Sequence, residues 1–210
     1  MMRPKVVVID SGIDPEHPGL RGKSSVIAGP RFDRQGIAEE AGGGIDDLGH
    51  GSAVAATIAS FVSNIEFVSL RVFDREATCD FLAVLHALEH AVGLGIPMIN
   101  VSLGTTSLRY RKQLESIAQR GRELGVRIVA PASYAGLPCD PGNLKTVEAV
   151  VADANVLPQM PEMRTHGSRL VWFASPLPPR DASGGRKLIA RGDSLAVASV
   201  TGCLLRAAQS

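Results

Sequence analysis

Short runs of apolar, β-branched residues alternate with longer segments of helical periodicity along this chain. The first run, residues 5–9, reads KVVVI, which is typical of a strand buried on both faces. The same reasoning predicts strands at residues 5–9, 65–72, 97–103, 126–131, 146–152 and 170–174. Helices are predicted at residues 51–61, 79–94, 108–124 and 194–208. Strands separated by helices of this length predict an α/β fold, with a central, mainly parallel sheet and helices on both faces.

Composition limits both the number of domains and the classes of partner. The 210 residues, 45% of them hydrophobic, predict a single domain over residues 1–210, because too little chain follows the Pro/Gly-rich loop at 175–185 to fold alone. Lys and Arg total 22 against 21 for Asp and Glu, so the formal net charge is +1. This balance gives no electrostatic case for binding nucleic acid or a membrane. The oligomeric state is not specified by the sequence.

The N-terminal residues and the cysteine pattern indicate the cellular compartment. The apolar run at the N-terminus is only four residues, Val6 to Ile9, which is too short for a secretory signal. We therefore expect no signal peptide and no propeptide. The three cysteines are an odd number without close spacing, which favours reduced thiols over disulfides. These features predict a cytoplasmic protein.

Three polar residues stand where a predicted strand ends or a predicted helix begins. Asp10 closes the first strand, His50 lies between two glycines at the start of a helix, and Ser194 opens the last helix. In parallel sheets, functional groups gather at the carboxyl ends of the strands. A serine hydroxyl needs an adjacent base to act as a nucleophile, an imidazole can be that base, and a carboxylate can orient the imidazole. Taken singly, each residue has an ordinary explanation as a turn or helix-cap residue.

Four sequence blocks, in order, resemble the motifs of the subtilisin-like serine peptidases, the subtilase family. They are VVVIDSGIDPEHPGL at 6–20, HGSAVAATIAS at 50–60, INVSLG at 99–104 and GDSLAVASVTG at 192–202. The resemblance implies a sheet of about seven strands and a catalytic Asp10–His50–Ser194 triad, in the chain order known for subtilisin. It also implies that Ser102, Leu103 and Gly104 bind the substrate backbone beside the S1 pocket.

The chain departs from the family pattern at several positions. Ser133 and Tyr134 stand where the family has the Gly-Asn pair whose Asn stabilises the oxyanion, so these two residues become the candidates for that role. Asp193 replaces a threonine next to the serine, and Thr105 replaces a glycine of the substrate strand. The short loop between Phe61 and Ile65 cannot carry the family's calcium loop, so we expect no metal and no cofactor.

Two functions fit this sequence. The first is a serine endopeptidase that works through an acyl-enzyme and is selective for a specific peptide or protein substrate. Its oxyanion site, with the Asn replaced, predicts weak activity. The second is a catalytically impaired pseudopeptidase that binds a peptide without cutting it. The basic residues of the helix at 108–124 indicate a solvated face, with docking of an acidic partner as the alternative.

Overall fold

The computed structural model describes residues 3–40, 45–134, 136–179 and 192–209. Its helices are α1 (His50–Ala59), α2 (Phe81–Gly93), α3 (Arg111–Glu123) and α4 (Asp193–Ala207), with a 3-10 turn at Leu108–Tyr110. Its strands are β1 (Lys5–Asp10), β2 (Ser24–Phe32), β3 (Ala38–Glu39), β4 (Ile65–Arg71), β5 (Met98–Val101), β6 (Arg127–Pro131), β7 (Ser133–Tyr134), β8 (Leu137–Pro138), β9 (Glu148–Ala152), β10 (Glu162–His166) and β11 (Arg169–Ala174).

The described residues form a nine-stranded sheet in the order β10-β11-β9-β6-β5-β1-β4-β2-β3. Every neighbouring pair from β11 to β2 is parallel, whereas β10 and β3 add an antiparallel strand at each edge. The sequence prediction of a mainly parallel sheet of about seven strands is therefore confirmed for the centre of the sheet. Strands β7 and β8 form a separate two-stranded hairpin.

Alternate residues of β1 face two different hydrophobic cores. Val6 and Val8 belong to the core that α1 and α4 cover. Val7 and Ile9 belong to the core under α2 and α3. Because successive side chains of a strand point to opposite faces, a strand covered on both faces has to be apolar at every position. Helices on both faces of the sheet, as the sequence predicts, follow from this arrangement.

The strands that the sequence reasoning missed lie toward the edges of the sheet. All residues of β10 are exposed, so this strand has no apolar period to detect. Strand β2 is half-exposed and interrupted by Gly29 and Pro30, where its register with β4 shifts. Of the predicted loop at 175–185, residues 175–179 lie outside helices and strands, and residues 180–185 lie outside the described residues. None of the helices described here has both the length and the apolar character needed to cross a membrane.

A buried chain of hydrogen bonds joins α4 to the end of β5. The Thr201 hydroxyl of α4 donates to Asn100 Oδ1 at 2.9 Å. Asn100 Nδ2 donates in turn to Ser102 Oγ at 3.0 Å. All three residues are buried, and the Thr201 hydroxyl is the donor that Asn100 Oδ1 has among the described side chains, although this hydroxyl also lies 2.9 Å from the Val197 carbonyl oxygen. These hydrogen bonds fix the position of Ser102, at the start of the segment that follows β5, relative to α4.

We expect Thr201→Val to lower the free energy of unfolding by about 1–3 kcal/mol, because Asn100 Oδ1 would lose its donor inside the core. The matched control is Thr57→Val, since the buried Thr57 hydroxyl donates only to the helix carbonyl of Ala53, which keeps its helical N–H donor. Urea unfolding of the two variants and the wild type measures the difference. An equal loss of unfolding free energy in both variants would contradict the stabilising role of the Thr201–Asn100–Ser102 hydrogen bonds.

Candidate active site

Asp10 ends β1 at the carboxyl edge of the sheet, and its side chain is 1% exposed. Its Oδ1 accepts the Ser11 N–H at 2.7 Å and lies 2.7 Å from His50 Nδ1. Burial is the largest influence on the pKa of Asp10 and raises it. The charge and hydrogen bond of His50, together with the Ser102 hydroxyl and the Ser11 amide, outweigh burial, so the pKa of Asp10 lies below its ordinary value. The carboxylate is therefore ionised at neutral pH.

His50 is the first residue of α1, and its Nδ1 faces Asp10. The negative charge of Asp10 is the largest influence on the pKa of His50 and raises it, while burial opposes this. The hydrogen bond to Asp10 and the charge of Asp46 add to the increase, and the pKa of His50 is raised overall. With Nδ1 committed to Asp10, the other ring nitrogen, Nε2, is the one left to exchange a proton with a third group.

Asp46 fixes the loop that precedes His50 and α1. Its Oδ1 accepts the Ser11 hydroxyl at 2.8 Å and the Gly49 N–H at 2.8 Å. Its Oδ2 accepts the backbone N–H and the hydroxyl of Ser52 at 2.8 and 2.6 Å. Gly49, the N-cap residue of α1, has no side chain, so Asp46 accepts the Ser52 N–H of the first turn in its place, while the Gly51 N–H donates to the Ser11 hydroxyl. Sequence reasoning missed Asp46, although an acidic residue shortly before a helix with a glycine cap is a usable signal.

Gly51 allows α1 to approach the segment after β1. A Cβ atom at this position would lie 2.1 Å from the carbonyl oxygen of Gly12 and 3.1 Å from the Asp10 Cβ. No side chain fits in that space. The glycine next to His50 is thus required by the short Asp10–His50 distance.

Arg71 anchors the other side of the same loop. Its buried guanidinium donates to the carbonyls of Ile45 at 2.8 Å and Phe73 at 3.1 Å, and to Asp47 Oδ2 at 2.9 Å. The hydrogen bond from Arg71 is the main reason that the pKa of Asp47 is lowered. Phe73, whose backbone carbonyl accepts the hydrogen bond from Arg71, packs its ring edge-on against the His50 ring at 6.3 Å between centroids.

Ser194 is the second residue of α4, and its hydroxyl donates to the carbonyl oxygen of Ser102 at 2.9 Å. His50 and Ser194, both described, are not hydrogen-bonded to each other. Asp10 and His50 are in direct contact. Ser194 instead contacts the backbone of Ser102, the residue whose hydroxyl interacts with Asp10. The backbone of Ser102 binds the serine, and its hydroxyl contributes to the low pKa of Asp10.

The other residues of the predicted substrate segment follow Ser102. Leu103 packs against the core under α2 and α3. Gly104 lies so close to Cys139 that a Cβ atom would be 2.6 Å from the Cys139 Sγ. The next residue, Thr105, forms an antiparallel bridge with Asp140, with backbone N–H···O distances of 2.8 and 2.9 Å. The residue directly after the predicted substrate segment is thus paired with the segment around Asp140.

The Cys139 thiol lies between that segment and the start of α4. It donates to the carbonyl oxygen of Pro131 at 3.1 Å. Burial first, and then the charges of Asp193 and Asp140, raise the pKa of Cys139 to about 12. The thiol therefore remains protonated at neutral pH and is not a nucleophile.

Ser133 and Tyr134, the predicted oxyanion residues, form the short strand β7 and pair with β8. Tyr134 is 62% exposed. Within the described chain, neither residue is hydrogen-bonded to Asp10, His50 or Ser194. Their proposed role thus stays a prediction.

Asp193 is the first residue of α4, directly before Ser194. It is half-buried, and burial raises its pKa. Among the described residues it forms no ion pair. A carboxylate here would disfavour a second negative charge nearby. The described residues contain no group of three or more His, Cys, Asp and Glu side chains placed to hold a metal ion.

A parallel α/β sheet with a buried Asp–His pair at its carboxyl edge, and a serine opening a helix nearby, defines a candidate hydrolase site. The family model described as the subtilase family, Peptidase_S8, matches residues 3–149. The chain therefore belongs to the subtilase family, the subtilisin-like serine peptidases.

Individual relatives agree with this assignment. A thermostable alkaline protease of Halalkalibacterium halodurans is 29% identical over 144 residues, which cover 63% of this chain and 36% of that protein. The match thus spans about a third of the relative's length. The solved structure of a cold-adapted subtilisin-like serine proteinase has a TM-score of 0.70 at 22% identity, covering 98% of this chain and 75% of that one. That of a lanthipeptide protease has a TM-score of 0.69 at 20% identity, covering 96% and 72%. At these identities, the two structures establish the fold.

We expect Asp10→Asn to lower the pKa of His50, because the charge that raises it is removed while the burial that lowers it remains. In the wild type, the stabilisation that comes from the raised pKa is complete below the ordinary histidine value of 6.5 and disappears as the pH rises through the higher, folded value. Titration of the histidine Cε1–H signals by NMR measures the shift. Asp33→Asn, in an exposed loop, is the matched control and should leave His50 unchanged. An unaltered pKa of His50 in Asp10→Asn would show that the pair is not formed.

Proposed function

We propose that this chain is a serine endopeptidase in which Ser194 is the nucleophile, His50 the general base and Asp10 the residue that orients His50. The observation that carries the proposal is the buried 2.7 Å contact between Asp10 Oδ1 and His50 Nδ1, at the carboxyl edge of the sheet, where Ser194 in the first turn of α4 is bonded to Ser102. Membership of the subtilase family supports the same assignment.

The proposed reaction starts with a proton transfer. His50 Nε2 takes the proton of the Ser194 hydroxyl as Ser194 Oγ attacks the carbonyl carbon of the scissile peptide bond. The resulting imidazolium is stabilised by Asp10, and it protonates the leaving amine as the C–N bond breaks. Water then attacks the acyl-enzyme, with His50 again accepting a proton, and releases the new carboxylic acid and the Ser194 hydroxyl. The raised pKa of His50 favours the imidazolium that these reaction steps require.

Substrate binding would release Ser194 from its present partner. Its hydroxyl is bonded to the Ser102 carbonyl, which belongs to the segment proposed to pair with the substrate backbone. A substrate N–H that takes this carbonyl displaces the hydroxyl, which then turns to His50. The nucleophile is thus activated only by a peptide that pairs with residues 102–104. This coupling fits an enzyme selective for one peptide rather than a degradative one.

For the oxyanion we propose the Ser194 N–H at the start of α4, with Ser133 and Tyr134 as side-chain candidates. The carboxylate of Asp193 opposes the same negative charge. These features predict slow turnover.

A peptide-binding pseudopeptidase is the second candidate, and one observation favours it. The Ser194 hydroxyl is bonded to Ser102 and not to His50, and the neighbouring Asp193 carboxylate has no ion-pair partner among the described residues. If substrate binding does not break that bond, the chain holds a peptide without cutting it.

We expect the wild type to cleave a small subset of a peptide library slowly, to leave casein intact, and to lose all cleavage in Ser194→Ala. Below the pKa of His50, kcat/KM should fall about tenfold per pH unit, because the base is protonated. Mass spectrometry of the digests, over a range of pH, measures both effects. Rapid cleavage of casein would refute selectivity. Tight binding of one peptide by both forms, with no cleavage, would establish the pseudopeptidase instead.

A further inference from the structure

A cleft of about 530 Å³ lies at the edge of the sheet opposite to Asp10. Arg127, Glu148 and Arg169, the first residues of β6, β9 and β11, line it, together with the turn that leads from α3 into β6. Because these strands are parallel to β1 in one sheet, their first residues are at the edge away from the carboxyl end of β1. We call this the basic cleft. It is separate from the candidate active site.

Positive charge dominates the basic cleft. Its charged lining consists of four cations, Arg122, Arg127, Lys145 and Arg169, and one carboxylate, Glu148. Glu148 is already occupied, since it pairs with Arg127 at 2.6 Å and accepts the Trp172 Nε1–H at 3.0 Å. This local excess contrasts with the net charge of +1 for the whole chain.

Two of the cations have no ion-pair partner among the described residues. Arg122 and Lys145 are exposed and, in the part of the chain that the structure describes, form no ion pair. They approach the cleft from different elements, Arg122 from α3 and Lys145 from the loop before β9. An anionic group between them would gain from both charges.

Arg169 is held in place by backbone carbonyls rather than by an acid. Its guanidinium donates to the carbonyl oxygens of Leu144 at 3.1 Å and Val147 at 3.2 Å. These bonds also fix the loop that carries Lys145. The positive charge is therefore pre-organised, which lowers the entropy lost when a ligand binds.

The apolar part of the lining identifies the class of ligand. Met163 and Leu170 line the same cleft and are 52% and 62% exposed. No aromatic ring is among the described lining residues, so the cleft lacks the surface on which nucleic-acid bases stack. Cations beside exposed aliphatic side chains complement a polypeptide in which carboxylates flank an aliphatic residue.

We propose that the basic cleft is a docking site for an acidic segment of a partner polypeptide, with its carboxylates on Arg122, Lys145 and Arg169 and an aliphatic side chain on Met163 and Leu170. This site does not depend on the proposed peptidase activity.

The test uses a fluorescein-labelled peptide of about 12 residues with Glu and Asp around a central Leu, and fluorescence anisotropy as the readout. The wild type should bind it, and the affinity should fall as NaCl rises from about 50 to about 200 mM, since the contacts are charged. The double variant Arg122→Glu/Lys145→Glu should weaken binding by at least about tenfold. Met163→Ser should weaken it less, without changing the salt dependence.

Arg109→Glu/Lys112→Glu is the matched control, because it reverses the same number of charges near the other end of α3, outside the cleft. It should bind like the wild type, and thermal melting checks that all variants fold. Equal loss in the control and in the cleft variant would overturn the proposal, as would equal binding of the isosteric Gln/Asn peptide. Tighter binding of a single-stranded oligonucleotide, lost in the cleft variant, would assign the cleft to nucleic acid instead.

Discussion

The contact between Asp10 and His50 is the interaction on which the rest of the site depends. A carboxylate that is 1% exposed would be costly to bury without a partner, and the imidazole supplies both a hydrogen bond and a positive charge. Three neighbouring residues hold His50 in position for this contact. Asp46 completes the start of α1, Arg71 ties the same loop to β4, and Gly51 lets the helix come close enough. His50 thus meets Asp10 on a rigid helix rather than on a free loop.

Ser102 connects this pair with the serine. Its carbonyl accepts the Ser194 hydroxyl, and its own hydroxyl accepts a hydrogen bond from Asn100, which is held by Thr201 of α4. The helix that carries Ser194 is therefore fixed to the strand next to β1 through buried polar groups as well as through packing. The same polar groups hold the start of α4, with Ser194, against the segment that follows β5.

The sequence predicted the strands whose side chains are buried and missed the strands whose side chains are exposed or half-exposed. Strand β1 could be predicted because its four apolar residues serve two cores at once. Strand β10 could not, because every residue is exposed and its position depends on pairing with β11. The two-residue strands of the β7–β8 hairpin are too short to show any period.

In the candidate site too, some residues could be predicted from the sequence and others could not. Asp10, His50 and Ser194 stand in ordered motifs, so the sequence could single them out as candidates. Asp46 was missed because its function lies in several hydrogen bonds that only the folded loop brings together. The basic cleft combines residues from α3, β6, β9 and β11 that no single sequence segment contains. The sequence indicated that the helix at 108–124 is basic, with docking of an acidic partner as the alternative to a solvated face.

The most direct test of the central claim is the site and rate of labelling by a fluorophosphonate, followed by peptide mapping. We expect a single adduct on Ser194 in the wild type and a rate at least about a hundredfold lower in His50→Ala, because the base would be missing. No adduct on Ser194, or an equal rate in His50→Ala, would contradict a catalytic site built on the Asp10–His50 contact.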